Sequence, residues 1–330
     1  NDIKYTPKEK EPQLIMNALL DAGEKVNYVY LNLSGSQNIQ HVSDAAVYLY
    51  INGTKVETAE EIKNSKPHQA TQTDRPIPEL LKRKKFRITT DFHPGDIVRL
   101  EATADNGAYF VAAEAEVPQP VSTIKADTAT VSFRNNGSWG KYRQFKISFE
   151  DRHDEKNYYR LDIRHDITVH GQNFAGRDTV IKVRETELIN REDIVLTDGH
   201  PTSSDDAYNG IINASIANKY NVFTDNRFSN GSCTLKVYAQ LYNDYYSPKL
   251  NQVTELDMNV AIRLLSITEA EYRYLKALNN LESEDYDEVL MEPVIIPSNV
   301  KGGLGFVGIS SEVRVTLHIP HRHIPKDADR

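Results

Sequence analysis

A single cysteine, Cys233, stands in the 330 residues, so the chain can form no intrachain disulfide and build no cysteine-based zinc site. Stability requires neither device, because a chain of this length buries about three quarters of the surface its unfolded form exposes. Cys233 falls in the apolar-alternating run SCTLKVYAQLY and reads as a small buried hydrophobe. No apolar stretch approaches the roughly 20 residues that a membrane-crossing helix needs. Positive charge is also short. The formal net charge is −8, which argues against a nucleic-acid ligand, since phosphate-backbone binders present a basic face. The one dense basic run, LLKRKKFR at 80–87, reads as a solvated loop. An initiating methionine and a signal peptide are missing too, so the expectation is a chain that begins behind a processing boundary. Residues 1–11 are polar and lysine-rich, like a tether.

Helical periodicity is the next scarcity. Strand signals fill its place: VNYVYLNLS at 26–34 alternates, with Val26, Tyr28, Tyr30 and Asn32 on one face. Asn52-Gly53 separates two strand-like runs, the strongest short hairpin signal. Pro94-Gly95 and Asn106-Gly107 punctuate three more. The spacing of about 8–12 residues predicts an antiparallel sandwich rather than a parallel βαβ design. VPQPVST at 117–123 reads as a domain junction, and TATVSF, RQFKISFED, NYYRLDIR, DTVIKVRE, CTLKVYAQLYN and LDMNVAIRLLSI continue the strand pattern beyond it. One helix is expected, at 268–281. Thr268 and Glu271 have capping-box spacing, and Tyr274, Leu275, Leu278 and Leu281 follow at helical intervals. The expected fold is therefore all-β. A tether at 1–11 leads into an immunoglobulin-like or prealbumin-like sandwich at 12–118. A larger antiparallel β domain at 119–330 carries the one packed helix.

Gly303-x-Gly305-x-x-Gly308 has the glycine spacing of a dinucleotide-binding turn. That turn works because a helix leaves it and offers free N–H groups to a pyrophosphate. Here ISSEVRVTLHIP follows, which alternates like a strand, and 22 residues after Gly308 are too few for the unit of roughly 30 that the motif opens. No Gly-Lys-Ser/Thr phosphate loop occurs either. The nucleotide reading fails, and the glycines suit a tight irregular crossing into a last strand.

With its neighbours the same stretch resembles a known family. SITEAEYRYLKAL followed by PSNVKGGLGFVGISS is similar to the C-terminal signature of domain-of-unknown-function family four-two-four-nine. PQLIMNALLDAGEKVNYVYLNLSGS, DAAVYLYING, NYYRLDI and NVFTDNRFSNG agree in order, so the resemblance spans roughly residues 12–311. It implies a lipoprotein of Bacteroidota, of a kind often encoded near TonB-dependent outer-membrane receptors. The lipid-bearing cysteine expected at the mature N-terminus is not in this sequence. Trimming just behind it would account for that and for the polar tether.

Other chemistry is weaker. His318, His321 and His323 in LHIPHRHIP could suit a metal only if extended, at a proline-broken end, and no metal site is assigned. His165 and His170 are five apart in a strand-like context. Glu150, Asp151, Asp154 and Glu155 surround His153, which a charged turn explains more simply than the paired carboxylates of a glycosidase. Gly-x-Ser-x-Gly and HExxH are absent, and the aspartates of 197–210 do not match a calcium loop. The expected function is non-enzymatic and without cofactor. It is a surface lipoprotein anchored in the outer membrane by an N-terminal lipid, accessory to a TonB-dependent uptake system, binding its receptor or a glycan, peptide or other nutrient. An adhesion or structural module is the alternative, and a glycan or peptide hydrolase a more distant one. Residues that could face a ligand or partner are Trp139, in the glycine-flanked loop NNGSWGKY, and Asn299, Gly302, Gly303, Gly305 and Gly308 in the glycine ending.

Overall fold

A computed structural model describes residues 11–35, 42–63, 83–135, 137–202, 217–241, 249–281 and 295–323. Residues 1–10 of the tether assigned to 1–11, and residues 242–248 and 282–294, lie outside these. The described residues form sixteen strands and one α-helix, as an all-β reading requires. They divide into two compact units. The first comprises Asn1–Gln119, Ile267–Ala277 and Ile295–Ser311; the second Pro120–Ser266, Leu278–Val294 and Glu312–Arg330.

In the first unit, β1 (Leu14–Asp21), β2 (Asn27–Leu33), β6 (Lys84–Ile88) and β5 (Glu60–Glu61) are neighbours in that order. A second sheet runs β4 (Thr54–Thr58), β3 (Ala46–Ile51), β7 (Ile97–Ala104), β8 (Tyr109–Glu116). Alternation sends Val29 and Leu31 of β2, and Val98, Leu100, Ala102 and Ala104 of β7, into one core with Leu14, Met16, Leu49, Phe86 and Val111. Asn52 and Gly53 turn the β3–β4 hairpin with φ of 50° and 81°, the doubly positive pair that matches strand twist. The basic run differs from expectation. Its residues from Lys84 onward are strand β6, because Phe86 and Ile88 alternate into the core. Its cations are absorbed locally: Lys84 meets Glu61 at 2.7 Å, Arg87 meets Glu60 at 2.5 Å, and the Lys85 amine lies 3.7 Å from the Tyr28 ring centroid.

The units are not the two continuous stretches, 12–118 and 119–330, that the sequence suggests. The last strand, β16 (Val307–His323), begins beside the first, with Ala18 through Asp21 of β1 paired in parallel to Val307 through Ser310. A parallel pairing between the two ends of a chain leaves no mark in local periodicity. The helix α1 (Glu269–Leu281) starts where expected: Thr268 Oγ1 accepts the Glu271 N–H at 3.1 Å. Within the first unit its Tyr274 stacks on Phe306, with centroids 4.3 Å apart. No helix of the described residues is long and apolar enough to cross a membrane.

The second unit is also built of two sheets. One is β14 (Ser232–Gln240), β10 (Ser138–Glu150), β9 (Ile124–Asn135), all antiparallel. The other is β12 (Asp178–Glu185), β11 (Tyr158–Gln172), β15 (Gln252–Ile267) and the remainder of β16, with the short β13 (Val222–Thr224) also on β11. Every second residue of β11 from Tyr159 to Gly171 is buried. Phe145, Ile147 and Phe149 of β10 meet them, and Val313, Val315 and Leu317 of β16 pack on the same core.

Candidate functional site

The glycine ending lies within the first unit and runs alongside β1. Leu304 N–H donates to Leu14 O at 3.0 Å, Met16 N–H to Leu304 O at 2.9 Å and Ala18 N–H to Phe306 O at 2.9 Å. A Cβ on Gly303 would collide with the Leu14 carbonyl, and one on Gly305, whose φ is +107°, with the Met16 carbonyl. Gly302 sits against the Phe110 carbonyl and Gly308 against the Glu271 carboxylate. Asn299 clips the exit of the turn, donating to Val307 O at 2.7 Å and accepting from Val307 N–H at 2.9 Å. Gly308 lies within β16, and no helix follows the glycines, so no helix N-terminus is aimed at a pyrophosphate. Close approach of backbone carbonyls accounts for Gly302, Gly303 and Gly305, and close approach of the Glu271 side chain for Gly308.

The clusters that could have carried chemistry are dispersed into structural roles in the second unit. Asp151 accepts from the Tyr159 hydroxyl at 2.7 Å and from the Asn230 N–H at 3.0 Å, Glu150 accepts from Ser232 at 3.0 Å, and Glu155 meets Arg152 at 3.3 Å. Burial, then the bond to Asp151, raises the Tyr159 pKa. His165 points inward from β11, fully buried, and burial pushes its pKa down to about 4. Cys233 is buried and its thiol is pushed up to about 12 for the same reason. His318 lies 3.0 Å from Asn259 and 3.8 Å from Asp257. Among the described residues no three His, Cys, Asp or Glu side chains converge as a metal site would require.

Trp139 leads to a different surface. It is 73% exposed, near the tip of the β9–β10 hairpin. Alternation places it on the face of β10 that carries Phe149, Ile147 and Phe145 into the core, continued outward by Arg143, Lys141 and Trp139. Register sets Thr128 opposite Phe145, Thr130 opposite Arg143, Ser132 opposite Lys141 and Arg134 opposite Trp139. Beyond Phe145 an apolar core thus gives way to hydroxyls, three cations and an indole. Arg143 is half-buried, which lowers its pKa, and its side chain makes no hydrogen bond or ion pair among the described residues.

The hairpin under this face is stiff. On its other side Phe133 stacks on Tyr238 at 4.2 Å and meets the Tyr142 ring edge-on at 5.4 Å. Arg191 donates to Asn135 Oδ1 at 2.8 Å and to Arg134 O at 3.1 Å, binding the strand end in place. Phe174, also 73% exposed, tops the β11–β12 hairpin, whose turn is fixed by Asn173 Oδ1 accepting from Ala175 and Arg177 N–H groups at 2.9 and 3.0 Å. Phe149 packs on Tyr159 and Phe145 on His165, so β10 and β11 run in opposite directions across the core. The two tips therefore project from one end of the second unit.

The profile of the family described as Domain of unknown function (DUF4249) matches residues 1–316. The chain belongs to this family. Comparison with curated proteins finds no match. Among solved structures, the DUF4249 chain is similar to a DUF4785 family protein of Legionella pneumophila, at 10% identity and a TM-score of 0.24. The alignment covers 77% of this chain and 52% of that one, so this chain corresponds to about half of its length.

Two positions of this DUF4249 chain escape a motif-based reading. Arg143 is hidden because alternation puts it on the face of Phe145, as if bound for the core, and only the folded chain shows that the core ends beside it. Arg263 is hidden for the opposite reason. It interrupts the apolar AIRLLSI, is 1% exposed, and pairs with Asp162 at 2.6 Å and with Glu312. Arg164 and Arg314 extend the network from either side, at 2.7 Å to Asp162 and 2.5 Å to Glu312. A strand arginine facing a strand aspartate was the available signal.

Proposed function

We propose that this chain is a non-enzymatic surface lipoprotein of the outer membrane. It serves as an accessory to a TonB-dependent uptake system and engages a nutrient or the receptor through the hairpin-tip end of its second unit. One observation carries the reading: Trp139 and Phe174, each 73% exposed, are held on braced turns at the same end. Exposed aromatics cost contact with water and are favoured where a partner covers them. Membership of DUF4249 fits the setting that the family resemblance implies, a lipoprotein encoded beside an outer-membrane receptor. The carboxylates and histidines that a hydrolase would need are engaged in turns and cores, which weighs toward binding over catalysis.

The test is purification of the tagged, full-length protein from native outer membranes. A TonB-dependent receptor should accompany the wild type and be depleted by Trp139→Ala with Phe174→Ala. A protein that elutes alone from detergent-solubilised membranes, with and without crosslinking, would overturn the reading.

A further inference from the structure

We infer that the Trp139–Lys141–Arg143 face is a site for a carboxylate-bearing oligosaccharide, one containing uronate residues. The inference rests on the reading of the second unit as a nutrient-binding surface, and it names the class of nutrient.

The chain carries a net charge of −8, and its arginines readily find carboxylates. Arg99 meets Glu101, Arg164 and Arg263 meet Asp162, Arg184 meets Asp166, and Arg314 meets Glu312. Among the described residues Arg143 does not, although it sits half-buried beside Phe145, where its charge is poorly hydrated. A planar guanidinium in that position gains most from a carboxylate, whose two oxygens match its fork. Lys141, exposed on the same face, is likewise without an ion pair among the described residues. Two cations two residues apart repel each other, and an anion bound between them removes that cost.

The rest of the face specifies a sugar rather than a bare anion. From Arg143 to Trp139 the strand advances about 13 Å, more than a small ion needs. The exposed indole of Trp139 offers a flat apolar surface for the C–H face of a pyranose. Thr128, Thr130 and Ser132, all exposed on β9 opposite this row, supply hydroxyls that both donate and accept. Carboxylate on Arg143, ring on Trp139 and sugar hydroxyls on the β9 row make one continuous set of complementary contacts.

Calorimetry on the purified chain tests this with galacturonate, glucuronate and mannuronate oligosaccharides, their neutral counterparts, and inorganic phosphate. At least one uronate oligomer should bind, at least about tenfold more tightly than its neutral counterpart, and more weakly as salt is raised. Arg143→Gln and Trp139→Ala should each weaken it about tenfold or more, the scale set by a charge-assisted hydrogen-bond pair or a stacked aromatic. Trp139 is exposed, so its variant should keep the wild-type urea midpoint. The inference is overturned if no uronate oligomer binds, if the neutral sugar binds equally, if phosphate competes at equal concentration, or if Trp139→Ala binds as wild type. A chain that ignores uronates yet co-purifies with a receptor removes this inference and leaves the accessory role standing. A chain that binds uronate but elutes without a receptor does the reverse.

Discussion

Replacing Gly305 with alanine should be among the most damaging single-methyl additions to the first unit. Gly305 holds φ at +107°, a region that costs a non-glycine residue on the order of 1–3 kcal/mol. The new Cβ would also run into the Met16 carbonyl, and Met16 cannot retreat easily. Its side chain is fully buried, and its N–H is bonded to Leu304 O at 2.9 Å. Forcing a methyl into a packed site adds about 1–3 kcal/mol. Together the loss should reach about 3–5 kcal/mol, well above the ~1 kcal/mol of an average substitution. Gly107 provides the control. Its φ of +85° carries similar conformational strain, but a Cβ there meets nothing within 4 Å, so Gly107→Ala should lose only the strain, about 1–2 kcal/mol. Urea denaturation followed by circular dichroism, compared at constant slope, reads both. Equal losses for the two variants, or a Gly305→Ala midpoint within error of wild type, would refute a close-packing role for the glycine ending.

Thr268→Ala should cost on the order of 1 kcal/mol through the lost N-cap, with Thr268→Ser nearly neutral; urea midpoints of the two variants decide it. His165, buried neutral with a folded pKa near 4, takes up a proton more readily once unfolded, near 6.5. Its contribution is therefore complete above about pH 6.5 and is lost as pH falls toward 4, by up to about 3 kcal/mol. His165→Leu should flatten that part of the stability–pH curve for the second unit, and an unchanged curve would show that the imidazole is not held neutral.

Much of the fold was legible because its signals are local. The Asn52-Gly53 hairpin, the alternation of β2 and β11 and the Thr268 cap each depend on a few consecutive residues, and the structure has all of them. What was illegible is long-range. Parallel pairing of β1 with β16 joins residues about 290 apart, and it moves the helix start and the glycine segment into the first unit. The basic run misled because charge density outweighed the two-residue rhythm of Phe86 and Ile88. Trp139 could be singled out as a lone indole in a polar loop, whereas Arg143 beside it could not. That it is half-buried, with no side-chain partner among the described residues, is visible only in the folded chain.

Where the protein resides is the most direct measure of the whole account. The full-length precursor, expressed in its native host, should partition with the outer membrane, carry an acylated N-terminal cysteine once processed, and be cut when intact cells meet external protease. Recovery in the cytoplasmic fraction, unacylated and protected from protease, would contradict the surface role and leave Trp139 and Phe174 without the partner proposed for them.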